Sequence, residues 1–412
     1  MLELSKEVLD SIHQLDRWVQ KNGWAGYDPY DIKGHPMYLR LTKSPRPLSD
    51  AFGFVYGYAE TVFPGLLRKS FRVRKEVNAK GMALFARAYL DLYLSTGQER
   101  YLAKTKEALG WLKENPSQGY TGLCWGYPFD WQSLHFLPRG TPSGVVTSCV
   151  GDAFYTFYKA TGIIEYLDIC SSICNFFMND LNVDNISDRK ICFSYTPLDG
   201  EHCHNANLFV ADFLIRIGVE TGDKAFIEQG TRALNYTLGE QNEDGSFGYL
   251  GHEDMKEYGL SREAVEYIDH YHTGFVLRSL HSIFKATGDE RVFSALEKCY
   301  NHYRQTLFEN STIPKLTPEN KYPINIHSCS EAILCMSTLS SLFPDALDYA
   351  EKTFRWTRAN MQTRNGWFIY MITNTRIRVL EWKIRIPYIR WAEAWMLRAL
   401  SQYYLMLQED VK

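Results

Sequence analysis

Two carboxylates in this sequence sit among aromatic rings: Asp130 lies between Phe129 and Trp131, and Asp269 directly precedes His270, Tyr271 and His272. A carboxylate in apolar surroundings is costly unless it is paired or works as an acid. Two such groups facing each other across a cavity suit hydrolysis of a glycosidic bond, one protonating the leaving oxygen and the other activating water. Aromatic neighbours raise a carboxyl pKa, which assigns the acid role to Asp130 and the base role to Asp269. A second set of residues suits a lyase or epimerase acting on a uronate. His204, Tyr271 or His272 would take the proton beside the carboxylate, while Asn205 and Arg385 hold the acid group.

Around these groups are residues of the kind that bind sugars. Trp125, Tyr127, Trp131 and Trp391 offer flat faces for the C–H surface of a pyranose, and Asn207, Tyr271, His327, Tyr388 and Arg390 offer partners for its hydroxyls. Plainer roles compete. Asn205 and Asn207 also suit helix caps, and Asp28 and Asp31, flanking Pro29, suit turns. His202 with His204, and His270 with His272, form His-x-His pairs. On a helix that spacing turns the rings about 200° apart, so no metal site and no cofactor are expected.

For these scattered segments to meet, the chain must position them, and an internal repeat shows how. Thr96-Gly97, Thr161-Gly162, Thr221-Gly222 and Thr287-Gly288 recur at spacings of 65, 60 and 66 residues, each closing one amphipathic stretch and opening another. Glycine just past a helix takes the left-handed C-cap conformation, so each unit reads as helix, short turn, helix. A fifth unit pivots near Phe343-Pro344. A sixth forms if a first helix, roughly 4–21, pairs with a last one, roughly 388–407. Six hairpins predict an all-α fold, a closed (α/α)6 toroid spanning 1–412 as a single domain. The links between hairpins (116–142, 182–203, 240–265, 309–326 and 362–387) are long and aromatic, so all lie on one face and carry the site. The alternating pattern over 367–385 predicts a small β-hairpin there.

The bulk composition narrows the partners. With 412 residues, 45% of them apolar, the chain can bury a core without disulfides. A net charge of -3 argues against nucleic acid; the basic group Arg376, Arg378, Lys383 and Arg385 suits one anionic group on a ligand. Nine cysteines, with Cys170 and Cys174 on one helical face, show no zinc-like clustering. The charged N-terminal segment lacks a signal-peptide pattern, and no apolar run is long enough to span a bilayer, so a reduced, cytoplasmic protein is expected.

Six segments, CWGYPFDW at 124–131, GTPSGVVTS at 140–148, HNAN at 204–207, DHYHTGF at 269–275, IPYIRWAEAWML at 386–397 and GYDPYD at 26–31, together resemble the VpsJ-type proteins of exopolysaccharide gene clusters. The resemblance implies a six-hairpin toroid and a polysaccharide context. Its expected partners are an oligo- or polysaccharide, anionic in some cases, and other polysaccharide-biosynthesis proteins. It assigns no reaction, and the residues put a glycoside hydrolase with the Asp130–Asp269 pair first, a lyase or epimerase second and a non-catalytic glycan-binding assembly factor third.

Overall fold

The computed structural model describes residues 2–374 and 380–409. Arg376 and Arg378, part of the basic group noted above, lie outside the described residues. The chain opens with α1 (Leu2–Asn22), followed by an arm of three helices, α2 (Pro36–Thr42), α3 (Leu48–Val62) and α4 (Pro64–Ser70). Hairpins follow: α5 (Ala79–Thr96) with α6 (Glu99–Glu114), α7 (Gly144–Thr161) with α8 (Ile164–Asn179), and α9 (His204–Thr221) with α10 (Lys224–Gly239). Two short helices, α11 (Glu253–Glu257) and α12 (Arg262–Val265), precede α13 (His270–Thr287) with α14 (Glu290–Thr306). Last come α15 (Ile326–Leu339) with α16 (Ala346–Met361), and α17 (Trp395–Glu409).

Six helices, α5, α7, α9, α13, α15 and α17, pack side by side in a closed inner ring, α17 returning to α5. The outer layer is α6, α8, α10, α14, α16 and α1, and α1 packs on α17 to complete the sixth hairpin, as the turn spacing predicts. The division into layers follows from side-chain distribution. Along α9 nearly every residue from His204 to Gly218 is buried, whereas α6 and α14 bury a single stripe. A helix covered on all sides belongs inside and an amphipathic one outside. The arm α2–α4 is an addition to this plan that the periodicity did not signal.

Four inner helices end at the Thr-Gly turns, whose glycines have φ between +67° and +76°. The predicted hairpin is present as strands Met371–Asn374 and Glu381–Ile384, with Ile324–Asn325 added alongside. Because every inner helix follows a long link, all six start at the same mouth. Their caps there include Asn78, Ser143, Asp269 and Asn325, each accepting a backbone N–H of the first turn.

A left-handed position resists any Cβ, so Gly222→Ala is expected to cost about 1–2 kcal/mol. Gly110, inside α6 with open space beside it, gives the opposite sign: Gly110→Ala stabilises by about 0.4–1 kcal/mol. Urea unfolding midpoints of the two variants check the pair.

Candidate active site

At the long-link mouth the inner-helix starts bring a set of aromatic and basic side chains together. The Tyr271 ring lies 4.2 Å from His272, 4.8 Å from His327 and 5.7 Å from Trp391, measured between centroids. Trp391 is 4.4 Å from His327 and 5.3 Å from Tyr30, which is 5.5 Å from Trp131. Tyr249 closes on His272 at 4.6 Å. Beneath them, the ammonium of Lys80, in the first turn of α5, sits over Phe275 and Trp395 at 5.5 and 5.3 Å.

Asp269 is the N-cap of α13, and it does two things at once. Oδ1 accepts the His272 N–H at 2.9 Å, and Oδ2 lies 2.8 Å from His272 Nδ1. A carboxylate on Nδ1 fixes the tautomer with the proton on that nitrogen and leaves the lone pair on Nε2. The Asp269 side chain is almost fully buried, while that of His272 keeps 23% exposure, so the imidazole is the accessible member of the pair. His327, two residues past the Asn325 cap, has both ring nitrogens buried without a hydrogen-bond partner among the described residues. Burial, with the nearby cations Lys80 and Arg390, holds its pKa well below the usual imidazole range, so it is neutral at physiological pH.

Arg390 is placed by a π-helical turn, Ile389–Ala394, in which the Glu393 N–H reaches back five residues to the Tyr388 carbonyl. π turns widen a helix locally and often occur at functional sites. The guanidinium forms a bidentate pair with Asp28 at 2.6 and 2.8 Å and stands 5.0 Å from the rings of both Tyr127 and Trp391. Asp28 therefore serves as the buried partner of a site cation as well as accepting the Tyr30 N–H in its turn.

Several residues singled out in the sequence face elsewhere. Asp130 points away from Trp131, as neighbours on extended backbone do. Its carboxylate accepts the Arg139 N–H at 2.7 Å and lines a separate groove of about 340 Å³ with Asp28, His35, Arg72 and Arg74. Asp130 and Asp269 thus have different settings, one bonded to the Arg139 N–H in this groove and the other to His272. His204 turns outward, stacked 5.5 Å from Tyr236 of α10, and burial lowers its pKa to about 3. Asn207 spends its amide inside the core, accepting Phe193 N–H and donating to the Ala233 carbonyl and Thr237 hydroxyl. Asn205, also buried, accepts from the Cys203 thiol. Trp125 is a core residue, donating to the Leu112 carbonyl and packing on Phe154. Tyr388 lies under the arm, donating to Glu60 at 2.8 Å. Arg385 is exposed beyond the strand Glu381–Ile384, and Arg390 supplies the buried cation in its stead. What sequence reasoning missed is Lys80 as a site residue and Asp28 as a partner for Arg390. A charged residue in the first turn of α5, at the end that faces the long links, was the available signal for the first.

Of the His-x-His pairs, His270 and His272 lie on α13, whereas His202 precedes α9 on extended backbone and shares the Tyr236 ring with His204, at 5.8 and 5.5 Å. His202 donates between Asp254 at 2.6 Å and Asp184 at 2.9 Å, and ligand atoms of His202, Asp254 and Glu257 lie within 4.8 Å of one another. Hydrogen bonds to carboxylates on both ring nitrogens describe an imidazolium; a metal would need that ring neutral. At the opposite, turn-side end of the ring a cavity of about 560 Å³ is lined by charged side chains of the inner helices, including Arg87, Asp152, Asp212, Arg216, Arg278 and Arg398.

No family model matches the chain, and no curated protein is significantly similar to it. Solved structures are similar in fold. The GH76 α-mannanase of Bacteroides thetaiotaomicron superposes with a TM-score of 0.60 at 13% identity, covering 80% of this chain and 87% of that one. A family 88 glycosyl hydrolase from Bacteroides vulgatus gives 0.61 at 9%, covering 98% and 99%. Cellobiose 2-epimerase from Bacillus thermoamylovorans gives 0.58 at 12%, covering 81% and 88%. At such identities the likeness establishes one thing: this chain has the (α/α)6 toroid fold of these carbohydrate-processing proteins.

Burial works against a charged His202, but the Asp254 and Asp184 carboxylates outweigh it and raise the pKa to about 9. A pKa raised on folding adds stability that is complete below the unfolded value, about 6.5, and is lost as pH climbs through about 9. Urea midpoints should therefore fall between about pH 6 and about pH 10, and His202→Gln should flatten that decline.

Proposed function

We propose that the chain is a carbohydrate-active enzyme that moves a proton at a sugar carbon beside a carbonyl or carboxylate, an epimerase, isomerase or lyase type of chemistry. The observation that carries this reading is the Asp269–His272 pair, 2.8 Å apart, turned toward Tyr271 and His327 inside an aromatic wall. His272 Nε2 takes the proton, and the C–H electron pair becomes the carbon–carbon double bond of an enol or enolate. The charge that develops on oxygen is met by the cations Arg390 and Lys80 and by helix N-termini opening into the same mouth. Return of a proton from the Tyr271 phenol on the other face inverts the carbon; loss of a leaving group from the next carbon instead gives elimination.

Two carboxylates are needed for ordinary hydrolysis. With Asp130 in a side groove and Asp269 committed to His272, the balance moves from hydrolysis to proton transfer. Trp131, Tyr30 and Trp391 supply faces for a pyranose, and Tyr30 and Trp131 must part for one to enter. A cellobiose 2-epimerase and a polysaccharide lyase among the proteins of like fold are in keeping with this choice. The resemblance of the six segments to VpsJ-type proteins supports an exopolysaccharide context for the substrate.

The test is incubation in deuterium oxide with reducing disaccharides and with uronate oligosaccharides, followed by NMR. Deuterium entering at the carbon beside the carbonyl without cleavage identifies epimerisation or isomerisation, and a new ultraviolet-absorbing double bond identifies elimination. His272→Asn is expected to lose about 10²–10⁴-fold in rate. New reducing ends without deuterium incorporation, unchanged in His272→Asn and lost in Asp130→Asn, would overturn the proposal in favour of hydrolysis.

A further inference from the structure

The arm formed by α2, α3 and α4 has a composition at odds with its surroundings. α3 reads LSDAFGFVYGYAETV, yet neither α2 nor α3 has a fully buried residue. Tyr38 packs on Phe52 and Tyr56 to hold α2 against α3. Elsewhere on α3, Leu48, Val55 and Tyr58 are between 55% and 62% exposed, and Phe63 and Leu66 continue this apolar surface at 52% and 60%. The C-terminal hairpin extends the same surface, where the Trp382 indole N–H donates to the Thr61 carbonyl at 3.1 Å beside exposed Leu380. A helix apolar around most of its circumference ordinarily belongs in a core or in lipid.

Charge points to which kind of partner covers it. Between residues 33 and 75 there are nine Lys and Arg against two acids, Asp50 and Glu60, in a chain whose net charge is -3. Glu60 is taken up by buried Arg68 at 3.0 and 3.1 Å. Arg40, Lys43, Arg46 and Lys69 are exposed on the arm itself, and Arg72 and Arg74 line the adjoining side groove. Protein interfaces are depleted in lysine, and their cores in charged residues generally. Phe, Leu and Val surrounded by Lys and Arg, with Tyr and Trp among them, match the layers of an anionic bilayer surface. At 15 residues, α3 is about 22 Å long, too short to cross a hydrocarbon core of about 30 Å but suited to lying in its interface.

We propose that the arm docks this protein peripherally on an anionic phospholipid surface. Arg68 ties the arm to the mouth of the ring through Asp31 and the Asp28 carbonyl, and the Glu60 carboxylate receives the Tyr388 hydroxyl. Docking therefore holds the long-link mouth and its side groove near the lipid headgroups, where a membrane-borne saccharide would be presented.

Flotation of the full chain with vesicles tests this, using phosphatidylcholine alone and phosphatidylcholine mixed with phosphatidylserine. Binding is expected to the mixed vesicles only, weakening as salt rises, with about a fivefold loss of affinity for each charge removed among Lys43, Arg46 and Lys69. Lys43→Glu, Arg46→Glu and Lys69→Glu combined should abolish flotation, whereas Lys224→Glu with Lys298→Glu, exposed on outer helices, should leave it intact. Tyr58→Ser with Leu66→Ser should weaken it at every salt concentration. Failure of the unaltered chain to float with the mixed vesicles overturns the proposal. So does a dimer in solution that Leu66→Ser dissociates without any vesicle binding, since a second copy would then be what covers the arm.

Discussion

Charge inside a ring of helices has to be paired, and that requirement shapes this molecule. Arg278 of α13 meets Glu331 of α15 at 2.6 Å, and Arg398 of α17 meets Asp91 of α5 at 2.6 Å. Arg87 of α5 pairs with Asp152 of α7, which also receives Arg216 of α9 at 3.3 Å. Each of these contacts joins neighbouring inner helices. Ion pairs of this kind add little net stability, because desolvation offsets their attraction, yet breaking one leaves an uncompensated buried charge. They act on register: an inner helix that slid by a turn would separate guanidinium from carboxylate.

Fixed register at the turn side has a consequence at the other mouth. With the inner helices held in place, their starts are held too, and Asn78, Ser143, Asp269 and Asn325 all cap at one level of the ring. Helix starts carry partial positive charge, and Lys80 and Arg390 add to it. The mouth is therefore a place where negative charge is favoured and where a neutral imidazole is favoured over a charged one. The neutral state of His327 follows from burial and from these same cations. Along the last helix, the π turn supplies the extra residue that brings both Arg390 and Trp391 to this level, and Gly26 permits the approach, since a Cβ there would meet the Ile389 side chain at 2.6 Å.

The repeat was legible because a glycine in the left-handed region is hard to replace and so marks a turn wherever it falls. The aromatic links were legible because long loops rich in Trp and Tyr must bury those rings somewhere. Less was visible of where each polar side chain points. His204 and His272 look equivalent in sequence, each near the start of an inner helix, but one faces α10 and the other faces the ring centre. Asn207 reads as a ligand residue until the Phe193 N–H is seen to need an acceptor. The arm escaped notice because its apolar residues are exposed, whereas apolar periodicity is read on the assumption that such residues are buried.

From residue order alone came the helical class, the count of six hairpins, the closure of the first helix on the last, and the face that carries the long links. Turn glycines and apolar stripes are local signals, and local signals survive without coordinates. Tertiary structure alone decided that Asp269 bonds to His272, that Arg390 is buried beside Tyr127 and Trp391 while Arg385 is exposed, and that an apolar, basic arm is added to the hairpins. These depend on the direction of a side chain about a helix axis and on partners hundreds of residues distant, as with Asp28 and Arg390, and no local pattern encodes either.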